Sequence, residues 1–135
     1  KWCEAYEKAI DDAGGLDFQL LGIGRTGHIG FNEPPSDPKS KTRMIHLHEI
    51  TKKDAAPAFG GFENVPSSAI TMGVGTIFKA KRIVLMAWGE NKADIIKRTV
   101  EGEMSDDVPA TYLQAHGNCS FVIDRAAASK LERSK

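Results

Sequence analysis

The chain has 135 residues, enough for one compact domain. Its 18 basic and 18 acidic residues cancel, so no bulk charge draws it to nucleic acid or to a membrane surface. Its two cysteines, Cys3 and Cys119, cannot build a disulfide framework, and apolar runs such as RIVLMAW are too short to span a bilayer, so a reduced, cytoplasmic setting is expected.

The opening KWCEAYEKAI predicts an amphipathic helix with Trp2, Ala5, Tyr6, Ala9 and Ile10 on one face. It lacks an initiator methionine, and a chain that opens inside a helix reads as a piece of something longer. Gly14 and Gly15 should end this helix. DFQLLGIG then predicts a strand buried on both faces, because its apolar run is continuous. A long loop follows, HIGFNEPPSDPKSKT, interrupted by three prolines. RMIHLHE predicts a half-exposed strand, and TKKDAAPAF a short helix disturbed by Pro57. SSAITMGVG and KRIVLMAWG predict two further strands that end in glycine. ENKADIIKRTVEG predicts a helix with Ala93, Ile96, Lys97 and Val100 on one face. PATYLQAHG suggests a helical turn or two, and CSFVIDRAAASKL a strand followed by a helix. No repeat, low-complexity tract or linker is evident.

Strands alternating with helices indicate an α/β domain with a largely parallel sheet. Ligands in such sheets bind at the carboxyl ends of the strands. The segments GIGRTGHIG and WGENK should therefore share one rim.

Two chemistries compete in GIGRTGHIGFNEP. Gly22, Gly24 and Gly27 have the spacing of a dinucleotide-binding turn. That turn must open a helix whose N-terminus holds the pyrophosphate. Here Pro34 and Pro35 interrupt a stretch with no helical period, so a tight ligand-facing loop is the better reading. His28 supplies an imidazole, the side-chain type suited to proton transfer at neutral pH, and Glu33 could orient it if the loop folds back, with Asn32 as a donor. From spacing alone, a surface loop with a solvated Glu33 is favoured over an acid–base pair. No second His or Cys stands at metal-ligand spacing in the loop. Lys92 falls in the first turn of a helix, where a cation opposes the helix dipole by roughly 0.3–1 kcal/mol. A bound phosphate would remove that conflict, and pairing with Glu90 would serve equally.

The succession LGIGRTGHIGFNEPPSD, TR, AITMGVGTI, WGENKA, VEG and LQAH resembles the glucosamine-6-phosphate deaminase family over nearly the whole chain. The resemblance implies a three-layer α/β/α sandwich with a mostly parallel Rossmann-like sheet, of which residues 1–135 would be the C-terminal portion. It implies amino-sugar catabolism: glucosamine 6-phosphate and water give fructose 6-phosphate and ammonia, a hydrolase reaction without redox cofactor or catalytic metal. His28 matches the ring-opening histidine, and Glu33 the carboxylate that holds it in its working tautomer. Lys92 matches the phosphate-gripping lysine, and Gly22 the glycine that approaches the sugar hydroxyls. The acid that abstracts the C2 proton would lie in the other half, so the isolated chain is expected to be inactive.

Three departures accompany this match. Thr26 stands beside the Gly-His where the family carries Asp or Asn, so it would touch substrate without charging the histidine. Pro57 or a neighbour stands where the family has a phosphate-binding Arg, leaving Lys52 or Lys53 as substitutes. Arg43 matches an activator-binding residue, but Ile45 replaces its lysine partner, so allosteric activation is not expected. The expected partners are a small sugar phosphate and further copies of the chain, with no nucleic acid and no membrane. A non-catalytic sugar-phosphate sensor, or a sugar-phosphate lactonase or isomerase on the same fold, are the alternatives.

Overall fold

A computed structural model describes residues 1–132. The fold is mixed α/β with a mostly parallel sheet, as expected. β1 (Phe18–Leu21), β4 (Arg82–Ala87) and β5 (Cys119–Ile123) form a parallel sheet in the order β1-β4-β5. β2 (Arg43–His46) and β3 (Ser68–Thr71) pair antiparallel in a separate ladder, with Arg43 opposite Thr71. Among the described residues, two of the five strands therefore stand outside the parallel sheet.

Side chains alternate across a strand. Leu21, Ile83, Leu85 and Ala87 point to one face and are buried. Over that face pack Ile77 of α3 (Val74–Phe78), Ile95 and Ile96 of α4 (Ala93–Glu101), and Ala110 and Leu113 of the 3₁₀ segment Pro109–Ala115. Each fully buried Ile or Leu stabilises the fold by about 1.5–3 kcal/mol. The opposite face leaves Phe18, Leu20 and Val122 about half exposed. The expectation of a first strand buried on both faces is thus corrected. Among the described residues β1 pairs only with β4, and one of its faces is about half exposed.

Three other expectations change. In α4 the buried residues are Ala93, Ile95, Ile96 and Thr99, while Lys97 turns outward to Glu101 and Glu132. The segment after β5 makes successive turns at residues 125–130 rather than a helix, with the Asp124 carboxylate accepting from the Ala127 amide. The buried helix α3 was not expected, and its first two residues, Val74 and Gly75, fell within the expected strand SSAITMGVG, whose strand ends at Thr71. The disturbed helix behaves as Pro57 requires: α2 (Glu49–Ala55) ends before it, and Pro57 enters a 3₁₀ turn over Ala56–Phe59.

The first helix, α1 (Trp2–Asp12), forms as expected, and of its apolar stripe Ile10 is half-buried while Ala5 and Ala9 are exposed. Trp2 and Tyr6 are exposed, and Glu7 turns inward. One oxygen of Glu7 accepts from the Thr42 amide and hydroxyl, both at 2.7 Å, and from the Thr76 hydroxyl at 2.5 Å. These bonds fix the orientation of α1 against its own apolar stripe. Burial raises the Glu7 carboxyl, but the combined hydrogen bonds from Thr76 and Thr42 prevail and leave it below its ordinary value of 4.5. A lowered carboxyl stabilises the fold above its unfolded value and loses that contribution as pH falls through the folded value. Glu7→Gln is therefore expected to cost about 1–2 kcal/mol at pH 7, since hydrogen bonds to charged groups outweigh those to amides. In acid, once the folded carboxyl has taken up its proton, the loss should shrink. Urea unfolding at pH 7 and in acid checks this, and an equal loss at both would contradict it.

Candidate active site

Because β1 and β4 are parallel neighbours, their carboxyl ends deliver two loops to one rim. The first loop folds back at once: the Gly27 amide bonds the Gly24 carbonyl at 2.9 Å, and the Gly24 amide bonds the His28 carbonyl at 3.1 Å. Gly27 takes φ 82°, a conformation that glycine adopts at no steric cost. Gly24 is glycine for another reason. A Cβ there would lie 1.9 Å from the His28 Nε2, so the imidazole rests directly on this residue's backbone. At Gly22 a Cβ would meet open space, so packing within the chain does not require glycine there. No helix follows the third glycine; residues 22–42 hold neither helix nor strand. The dinucleotide reading therefore lacks its anion-binding helix end.

His28 and Glu33 come together as the alternative reading requires. The His28 Nδ1 stands 2.7 Å from the Gly30 carbonyl. A carbonyl only accepts, so Nδ1 carries the proton and the neutral ring presents its Nε2 lone pair. Nε2 faces Glu33 Oε1 at 3.8 Å. The tautomer is thus set by Gly30, not by Glu33 as the resemblance implied, and Glu33 stands beside the reactive nitrogen. Its side chain is only 8% exposed, which overturns the solvated-loop reading favoured by spacing alone. Oε1 also accepts from the Thr51 hydroxyl at 2.7 Å, whereas Oε2 is buried without a partner. Thr51 was missed in the sequence, where it reads as an ordinary position in a short helix.

The loop is fastened rather than free. Asn32 is fully buried. Its amide donates to the carbonyls of Ile29 and Met72, both at 2.8 Å, and its oxygen accepts from Arg43 at 2.8 Å. Arg43 also reaches the Ser36 hydroxyl at 3.1 Å, and Ser36 donates to the Glu33 carbonyl at 2.5 Å. The Phe31 amide bonds Thr71 Oγ1 at 2.9 Å, tying the loop to β3. Asn32 and Arg43 are thereby committed to holding Glu33 in place.

The second loop brings Lys92, at the end of the 3₁₀ turn Glu90–Lys92. Its Nζ donates to the Ile23 carbonyl at 2.6 Å, so it crosses to the first loop instead of pairing with Glu90. The Gly89 amide before this turn donates to both oxygens of Asp124 at 3.1 Å. Thr26 stands in the first loop with its hydroxyl oxygen buried and unpartnered. Lys52 is taken up by the Phe62 ring, 4.5 Å away, and by Glu49 at 3.6 Å. Arg25 forms a bidentate pair with Asp54. Among the described residues no group of three or more His, Cys, Asp and Glu could hold a metal ion, and no helix is long and apolar enough to cross a membrane.

The rim thus combines a pinned imidazole, a buried carboxylate and a lysine. Residues 1–121 match the family described as glucosamine-6-phosphate isomerases/6-phosphogluconolactonase. This chain belongs to that family. It is 56% identical over 129 residues to a glucosamine-6-phosphate deaminase of Shewanella woodyi, covering 96% of the chain and 49% of that protein. It is 51% identical over 133 residues to a glucosamine-6-phosphate deaminase-like protein of Bacteroides thetaiotaomicron, covering 98% of the chain and 20% of that protein. A solved monomeric glucosamine-6-phosphate deaminase superposes with a TM-score of 0.91 at 46% identity, over 94% of the chain and 53% of its own. The chain thus spans about half the length of that structure and of the Shewanella relative. A 6-phosphogluconolactonase of Trypanosoma brucei, 21% identical with a TM-score of 0.72, shares the fold. These names describe deaminases and an isomerase family, and none of them states the hydrolase class expected from the sequence.

Proposed function

We propose that the intact protein isomerises and deaminates glucosamine 6-phosphate to fructose 6-phosphate and ammonia, with residues 1–135 as the C-terminal portion of its domain. The carrying observation is His28, with Nδ1 held by Gly30 and Nε2 turned to the buried Glu33. In ring opening, Nε2 takes the proton of the anomeric hydroxyl while the bond from C1 to the ring oxygen breaks. The ring oxygen then receives that proton. Glu33 stabilises the imidazolium formed between the two transfers. Lys92 binds the phosphate, and the open surface at Gly22 admits the sugar hydroxyls. Removal of the C2 proton gives an enolamine, which becomes an imine and is hydrolysed with loss of ammonia. The base for that step is assigned to the half of the site outside this chain.

The direct test is to incubate the intact protein with glucosamine 6-phosphate and to measure ammonia and fructose 6-phosphate together. Equimolar release supports the reading. Binding without either product would favour the sugar-phosphate sensor, and lactone hydrolysis in a substrate panel the lactonase.

Thr51 gives a finer check. Thr51→Val keeps the shape of the side chain and removes the hydroxyl that holds Glu33. The loss of one hydrogen bond to a buried carboxylate is worth about 1–2 kcal/mol, so kcat should fall about 5–30-fold with KM nearly unchanged. Thr51→Ser should restore most of it. Unchanged kcat in the valine variant would remove Thr51 from the site.

A further inference from the structure

The ion pair between Arg25 and Asp54 has no task in the scheme above, yet it stands among the residues that carry it. Arg25 Nε donates to Asp54 Oδ2 at 2.9 Å, and Nη2 donates to Oδ1 at 2.5 Å. Arg25 comes from the turn after β1, and Asp54 from the last turn of α2. Their side chains are 51% and 46% exposed, so a solute can reach both.

A carboxylate in the last turn of a helix faces the negative end of the dipole, so α2 itself does not favour an anion at Asp54. The surrounding cations do. Hydrogen bonds from Arg25 overcome the effect of burial and, with the charges of Arg25, Lys92 and His28, hold the Asp54 carboxyl below its ordinary range. Lys92 is anchored on the carbonyl of Ile23, two residues before Arg25. Asp54 and Lys92 thus both reach the turn after β1, Asp54 at Arg25 and Lys92 at the Ile23 carbonyl.

A guanidinium offers phosphate the same two parallel N–H bonds that it gives a carboxylate. We propose that Arg25 is a phosphate-binding residue of this site and that Asp54 is its resident counter-ion, displaced when a sugar phosphate enters. The exchange keeps Arg25 paired in both states. A dianionic phosphate gains more than a carboxylate from Arg25 and Lys92 together, so the resident Asp54 also discriminates against weaker anions. The inference rests on the sugar-phosphate reading of the site and not on deamination.

Calorimetric titration of the intact protein with fructose 6-phosphate, inorganic phosphate and fructose tests it. Arg25→Gln is expected to weaken fructose 6-phosphate about tenfold or more, the effect of one charged contact. Arg25→Lys, which keeps the charge without the fork, should fall between that variant and the wild type and serves if the glutamine variant does not fold. Asp54→Asn should bind at least as tightly as the wild type, because the competing carboxylate is gone. The proposal is overturned if Arg25→Gln binds normally, if Asp54→Asn weakens binding as much as Arg25→Gln does, or if the wild type does not prefer the phosphorylated sugar to fructose. A wild type that releases no ammonia but follows the expected binding pattern would end the deaminase reading and leave this one standing.

Discussion

His28→Gln in the intact protein is expected to lower kcat for ammonia release by about 10²–10⁴-fold, the usual contribution of a positioned proton-transfer group. Glutamine keeps much of the volume and a hydrogen-bonding amide, but it cannot take and return a proton. The imidazole is built to do so. Its Nδ1 is held at 2.7 Å by the Gly30 carbonyl, which leaves Nε2 as the proton acceptor. Glu33 Oε1, 3.8 Å away, offers the imidazolium a counter-charge. His28 is not assigned to the phosphate, so KM should change only a few-fold. Initial rates of ammonia release over a range of glucosamine 6-phosphate concentrations measure both constants. Near-normal turnover in the variant would remove His28 from the chemistry.

Gly24→Ala is expected to reach nearly the same end without touching a reactive group. The added Cβ would stand 1.9 Å from Nε2 and 2.2 Å from Cδ2 of His28. The backbone at Gly24 is not in the left-handed region, so alanine is tolerated there and the ring must move instead. A displaced imidazole loses the Gly30 carbonyl and its place beside Glu33. The expected result is a fall in kcat of about 10²-fold, with a stability loss of about 1–3 kcal/mol from overpacking. Because both changes act through one ring, the double variant with His28→Gln should be little slower than His28→Gln alone. Circular dichroism and urea unfolding confirm that the fold persists. A Gly24→Ala protein with full activity would show that the ring does not work from this position.

Much of the frame was legible because it depends on local pattern. The apolar runs around Leu20 and Leu85 end in glycine, and parallel strands with short loops place both ends on one rim. Pro34 and Pro35 ruled out a helix after Gly27, and residues 22–42 contain none. The failures are as specific. Periodicity located α1 and its apolar stripe but not the inward turn of Glu7, which is set by Thr42 and Thr76, 35 and 69 residues away. The run DFQLLGIG looked doubly buried, yet its outer edge and one face have no neighbour among the described residues.

The candidate site divides along the same line. The order of residues by itself fixed a histidine and a carboxylate in a loop that cannot be helical, a lysine at the end of the neighbouring strand, and the family that carries them. Only the tertiary structure decided that Glu33 is buried, that the Gly30 carbonyl meets Nδ1 of His28, that Thr51 donates to Glu33, and that Arg25 pairs with Asp54. The physical reason is distance along the chain. A strand or turn is set by neighbours a few residues away. The environment of a carboxylate is set by whatever the fold brings against it, a hydroxyl 18 residues on for Glu33 and an arginine 29 residues back for Asp54.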